Sequence, residues 1–113
     1  MSPPPIPAYL KAIAERHRRG DATEHTYRGD LEILLRALLP AVDITNEPRR
    51  ITDCGAPDYV LKRNAIPLGY IEAKDVDKSL DDKTFRAQFR RYVASLDNFI
   101  FTNYLEFRFY RNS

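Results

Sequence analysis

Residues 56–74, APDYVLKRNAIPLGYIEAK, constrain the fold more than any other stretch of the chain. Tyr59, Val60 and Leu61, then Ile66, Leu68, Tyr70, Ile71 and Ala73, have the aromatic and aliphatic character of buried sheet. The polar Arg63-Asn64-Ala65 segment between them reads as a tight turn, so the pattern predicts strands near 58–63 and 67–73 paired as a hairpin. Asp58 opens the first strand, and Glu72 and Lys74 close the second, with 13 residues between the two carboxylates. A turn centred on Asn64-Ala65 returns both acids and the ammonium to the same end of the sheet. Alternation puts Glu72 and Lys74 on one face with Leu68 and Tyr70, while Ile71 and Ala73 point to the other.

Two carboxylates held this close repel each other unless a cation intervenes. Oxygen-only ligands favour a hard ion, Mg²⁺ or Mn²⁺, over zinc. The expected ligands are the Asp58 and Glu72 carboxylates and the main-chain carbonyl of Ala73. Such an ion withdraws charge from a phosphate and acidifies a bound water, and Lys74 stands where a cation orients that water. The same acid-x-Lys triplet also fits an ordinary solvated strand end, so the reading depends on what else faces this point.

Two helices supply candidates. Leu31, Leu34, Leu35 and Leu38 repeat at helical spacing until Pro40, predicting a helix over 22–38 with Asp21 or Thr23 as its cap. Glu24 shares that face, at offsets of 3, 7, 10 and 14 from Tyr27, Leu31, Leu34 and Leu38. A core-facing carboxylate needs a partner such as a metal, a water or a base; alternatively Glu24 answers the positive helix end. The stretch SLDDKTFRAQFRRYVASLDN predicts a second helix with Phe85, Phe89, Tyr92, Val93 and Leu96 inward and Ser79 or Asp81 as its cap. Gln88 and Tyr92 lie one turn apart beside that stripe. Gln88 there suits a hydrogen bond to a metal-bound water or a phosphate, or a mundane helix-boundary position.

The rest of the chain reads as an opening SPPPIP lead, a short amphipathic helix over 7–19 ending at Gly20, a strand in AVDITNE, and closing strands in NFIFTN and LEFRFYR. In the last strand Leu105, Phe107 and Phe109 alternate against Glu106, Arg108 and Tyr110. The order α, α, β, β, β, α, β, β predicts an α/β or α+β sandwich with a mixed sheet flanked by helices. The chain has 113 residues, 43% hydrophobic and 30% charged, which suits one domain. Cys54 is its single cysteine, which leaves no internal disulfide and no thiolate zinc cluster. No apolar leader or membrane-length run is present, and a cytoplasmic location is expected. A net charge of +2 argues nothing alone. The arginines do cluster, however: Arg49 and Arg50 before the hairpin, and Arg86, Arg90 and Arg91 on the later helix, suit phosphate contact.

Taken together, Pro57-Asp58, Glu72-Ala73-Lys74 and Gln88-x-x-x-Tyr92 resemble the PD-(D/E)xK nuclease superfamily, and the QxxxY element its Mrr-like branch. The strings ATEHTYR (22–28), ITNEPRR (44–50), CGAPDY (54–59), GYIEAKD (69–75) and NYLEFRFY (103–110) are similar to the N-terminal nuclease domain of Type I single-polypeptide (Type ISP) restriction–modification enzymes. The resemblance implies a restriction-endonuclease-like αβββαβ core over 21–113, preceded by a lead and short helix over 1–20, within a longer multidomain enzyme. It implies Mg²⁺-dependent cleavage of double-stranded DNA. Asp58 and Glu72 would be metal ligands, Lys74 the catalytic cation, Glu24 an accessory acid, and Gln88 and Tyr92 supporting residues. It also implies a helicase-like ATPase and an adenine-specific DNA methyltransferase in the parent polypeptide. Two rival functions carry different signatures. A catalytically silent DNA-binding or docking module has no use for the Asp58/Glu72/Lys74 set, and an interaction domain would expose an apolar patch at Phe107 and Phe109.

Overall fold

Local rules place most of the elements. The structure of the protein, a computed structural model, describes residues 4–20, 24–46 and 55–111, with the backbone alone for residues 24 and 25. The chain divides into two compact units, Met1–Val42 and Asp43–Ser113.

The first unit is a pair of helices, α1 (Pro5–Arg19) and α2 (Glu24–Leu38). The lead is helical two residues earlier than expected, because proline is tolerated in a first helical turn, where its missing N–H has no acceptor to lose. Gly20 ends α1 at φ 74°, its N–H donating to the Arg16 carbonyl. Tyr9 and Ile13 are the buried positions of α1, whereas Leu10 is exposed. In α2, Tyr27, Leu31, Leu34 and Leu35 are buried as the spacing predicts, but Leu38 is exposed at the last turn. Asp30 joins the inward stripe instead, its carboxylate taken by Arg16 of α1 at 3.1 Å.

The second unit carries a five-stranded sheet in the order β1 (Asp43–Asn46), β2 (Tyr59–Arg63), β3 (Ile66–Ala73), β4 (Asn98–Thr102), β5 (Phe107–Arg111). All neighbours pair antiparallel except β3 and β4, which are parallel and joined through a 3₁₀ turn (Lys83–Phe85) and α3 (Arg86–Ser95). The expected helix from the SLDD segment is thus shorter at its start. Asp82, not Ser79 or Asp81, supplies the cap, accepting from the Thr84 N–H at 2.9 Å and its hydroxyl at 2.8 Å. Asp81 is drawn away by Arg108, which donates to its two oxygens at 2.7 and 3.2 Å.

Tyr92 and Leu96 of α3 bury with Phe99 and Phe101 of β4 and Leu80, and Tyr70, Phe85, Phe89, Val93 and Tyr110 pack around that cluster. Because Tyr70 pairs with Phe99 and Glu72 with Phe101, Glu72 lies on the face that α3 covers. Tyr59, Ile71 and Ala73 are buried on the other face. The expected alternation of β5 is inverted near its end. Tyr110, paired with Phe99, turns inward with its ring 4.9 Å from Phe89, while Phe109 is 73% exposed. The partner strand, rather than hydrophobicity, decides which residue of such an aromatic pair faces in.

Candidate active site at the end of the central hairpin

The hairpin reverses at Asn64 and Ala65, both with positive φ (52° and 68°), as a two-residue turn that matches strand twist requires. That turn pairs Arg63 with Ile66 and Lys62 with Pro67. Continued without interruption, the register would set Asp58 beside Ile71, on the face opposite Glu72, since a one-residue slip exchanges faces. A bulge intervenes. Leu61 pairs with Gly69, leaving Leu68 as an extra residue in β3, and from there Val60 meets Tyr70 and Tyr59 meets Ile71. One step further, Asp58 stands across from Glu72. The bulge is seated by Asn98, whose side-chain amide donates to the Leu68 carbonyl at 2.7 Å. Gly69 lets β4 approach: a Cβ there would lie 3.1 Å from the Asn98 carbonyl oxygen.

Each acid is tied to the opposite strand. The Asp58 N–H donates to Glu72 Oε1 at 3.2 Å, and the Ala73 N–H donates to Asp58 Oδ2 at 2.8 Å. Lys74 leaves the strand with its own N–H bonded to the Thr102 carbonyl at 2.7 Å. Its ammonium donates to Glu72 Oε2 at 3.1 Å and to Gln88 Oε1 of α3. The Gln88 amide N–H in turn donates to the Tyr92 hydroxyl at 3.3 Å. Asp58, Glu72, Lys74, Gln88 and Tyr92 therefore form one bonded chain from β2 through β3 to α3. Gly55 closes over its end, where an added Cβ would rest 3.6 Å from the Tyr92 hydroxyl.

Burial governs the electrostatics. Glu72 is 6% exposed, and its carboxyl is pushed up to about 7, first by desolvation and then by the Asp58 charge, with Lys74 opposing both. Among the described residues no group of three or more histidine, cysteine, aspartate or glutamate side chains gathers to hold a metal. Two carboxylates, Asp58 and Glu72, would be the side-chain ligands of a metal here, a donor set that fits a hard divalent ion retaining several waters.

The other expected site residues stand apart from this chain of contacts or beyond description. Glu24 is the first residue of α2, in the other unit, and its side chain lies outside the described residues; so do Arg49 and Arg50. Arg90 is exposed on α3, lining a cavity of about 430 Å³ with Arg86, Arg108, Phe85, Phe89 and Tyr110. Arg108 is held by Asp81 and by Glu106 at 2.8 Å. The sequence reading placed Phe85 only as a core residue, yet the Lys74 ammonium sits 4.9 Å from its ring centroid. The signal was its position three residues before Gln88, on the same helical face.

No family model and no curated protein matches the chain. A solved structure does: the cryo-electron-microscopy structure of a DrdV–DNA complex, with a TM-score of 0.69 and 23% identity over 87% of this chain and 72% of the other. The likeness is one of fold. The chain is an α+β protein with a five-stranded mixed sheet, consistent with the expected restriction-endonuclease-like core. No helix among the described residues is long and apolar enough to cross a membrane.

Proposed function

We propose that the chain is a Mg²⁺-dependent endonuclease domain that hydrolyses phosphodiester bonds of double-stranded DNA, as the nuclease part of a cytoplasmic restriction–modification polypeptide. The observation that carries this reading is the bonded set Asp58–Glu72–Lys74–Gln88 at one sheet end, where a buried Glu72 carboxylate stands beside a half-buried Asp58 whose charge raises its pKa. The fold shared with the protein of the DrdV–DNA complex supports DNA as the partner. The PD-(D/E)xK and QxxxY spacing supports the Mrr-like assignment, and the likeness of ATEHTYR, CGAPDY and the other strings to Type ISP enzymes supports a helicase-like ATPase and methyltransferase in the parent polypeptide.

Asp58 and Glu72, with the Ala73 carbonyl, would hold the ion, Mg²⁺ or Mn²⁺. When bound it supplies charge withdrawal from the phosphate and a lowered pKa for an attached water. The residues of the chain do the rest. The Ala73 N–H fixes the Asp58 carboxylate so that it need not reorganise to meet a cation. Gln88 and Glu72 hold the Lys74 ammonium from two sides, aimed at the position where a phosphate oxygen or attacking water stands. Tyr92 orients the Gln88 amide so that its oxygen, not its nitrogen, meets Lys74. Glu24, Arg49, Arg50 and Arg90 complete the proposal as an accessory acid and backbone contacts.

Calorimetric titration with Mn²⁺ tests the carboxylate pair: binding is expected in the wild type and is abolished in Asp58→Ala with the circular-dichroism spectrum intact. Unchanged binding removes the metal assignment. Lys74→Ala is expected to keep the metal and to lose plasmid cleavage by at least about a hundredfold, the scale of one lost transition-state contact. A second reading, a protein–protein interaction domain, draws on Phe109, which is exposed on the edge strand β5. Metal binding that depends on Asp58 separates the two.

A further inference from the structure

Lys74 reaches its place along a flexible four-carbon stem, yet its ammonium is surrounded on three sides. Glu72 Oε2 and Gln88 Oε1 take two of its N–H donors, and the face of Phe85 lies 4.9 Å from the nitrogen. The Phe85 ring is itself packed against the core. It stands edge-on to Phe101, with centroids 6.1 Å apart and planes at 89°, and Phe101 is a buried residue of the core. The 3₁₀ turn that carries Phe85 is capped by Asp82, and the residue before that cap is clamped by Arg108. Phe85 and Gln88 are three residues apart, about one helical turn, so the backbone segment that brings the amide oxygen to Lys74 also brings the ring.

We infer that Phe85 is a positioning residue for Lys74, an inference that rests on the nuclease reading for its consequence in catalysis. An aromatic face attracts an ammonium through its quadrupole but accepts no strong hydrogen bond. It therefore holds the charge and keeps water from that side. The third N–H is left available for an oxygen of the substrate, which a carboxylate or amide in the same place would have taken. The ring also removes rotamers of the lysine stem before substrate arrives.

A graded series tests this: Phe85 replaced in turn by mono-, di- and trifluorophenylalanine, which keep the shape while weakening the ring quadrupole, together with Phe85→Leu. Single-turnover plasmid cleavage at saturating DNA and Mg²⁺ is expected to slow stepwise along the series, by roughly tenfold at Phe85→Leu, with the Kd for DNA unchanged. One rate shared by all fluorinated variants means that Phe85 only fills space, and overturns the inference. A readout that needs no cleavage accompanies it. The Lys74 Hε protons are expected to resonate upfield through the ring current of Phe85, and to return to ordinary values in Phe85→Leu while its amide spectrum stays folded. Absence of that shift in the wild type refutes the contact whether or not the chain cuts DNA. The shift present in a chain that cuts nothing upholds the positioning of Lys74 and fails the nuclease reading instead.

Discussion

Two buried carboxylates, one in each unit, live under opposite rules. Asp30, 7% exposed, sits between α1 and α2 and receives two donors from a single arginine, Arg16. Glu72, 6% exposed, shares its surroundings with a second carboxylate, and its lysine is divided between it and Gln88. The first arrangement closes on itself: one acid, one guanidinium fork, no remaining demand. In the second, burial and the Asp58 charge hold the Glu72 carboxyl well above its ordinary range, with Lys74 opposing both. The charge next to each acid, a guanidinium for Asp30 and a second carboxylate for Glu72, thus distinguishes the two. Depth of burial does not.

The largest expected consequence is in the pH dependence of stability. Glu72 rises from an ordinary value of 4.5 to about 7 on folding, so the folded chain binds its proton more tightly than the unfolded one. The resulting stabilisation is complete below 4.5 and is lost as pH rises through 7. Without metal, ionising Glu72 should remove on the order of 3 kcal/mol at most between pH 4.5 and pH 8. Urea denaturation in chelator, compared between wild type and Glu72→Gln, isolates this share, because the amide cannot ionise. Parallel pH profiles for the two chains would erase the contrast with Asp30. Adding Mg²⁺ at pH 8 should restore stability to the wild type and leave Glu72→Gln nearly unmoved.

Next in size are two single substitutions expected to differ in sign. Arg16→Ala leaves the Asp30 carboxylate buried and deprived of its fork, and should destabilise by about 1–2 kcal/mol, less than for a fully buried pair because Arg16 is 40% exposed. Asp58→Asn removes one of the two charges that repel, while its side-chain oxygen still accepts from the Ala73 N–H. At pH 8 without metal it should stabilise by about 1 kcal/mol and cost the chain its Mn²⁺. Thermal melts of both variants decide the matter: a loss of stability in each would show that Asp58 and Glu72 form an ordinary structural pair.

The sequence carried the outline of this site for a physical reason. Alternating apolar residues with charges at their outer ends can form only a hairpin that gathers those charges, and helical spacing brought Gln88 and Tyr92 to the same face. What escaped it depended on partners distant in the chain. Whether Tyr110 or Phe109 turns inward is decided by pairing with Phe99, and either choice satisfies the alternation of β5 taken alone. Asp82 displaces Asp81 as the cap because Arg108, 27 residues away, claims Asp81. The role of Phe85 was hidden in a stripe of other aromatics, where one ring toward a lysine looks like any ring toward a core. The bulge escaped entirely, since the hairpin pattern fixes which end the acids share and not which face.

That bulge gives the smallest and most discriminating test. Asn98 holds the Leu68 carbonyl through one exposed hydrogen bond, so Asn98→Ala should cost only about 0.5–1 kcal/mol. The register should nevertheless survive. A slip to the pairing set by the turn would turn the buried Tyr59 off the face it shares with Ile71, and the rest of β2 with it, at a cost of several side chains' worth of burial. Amide hydrogen exchange at Ala73 reports the outcome directly, because its N–H is held by Asp58 Oδ2 only when Asp58 stands across from Glu72. Protection within a few-fold of wild type in Asn98→Ala means that core packing fixes the carboxylate pair and Asn98 merely seats the extra residue. Loss of protection at Ala73 with the rest of β3 still protected means that a single surface amide chooses the face on which the acids meet.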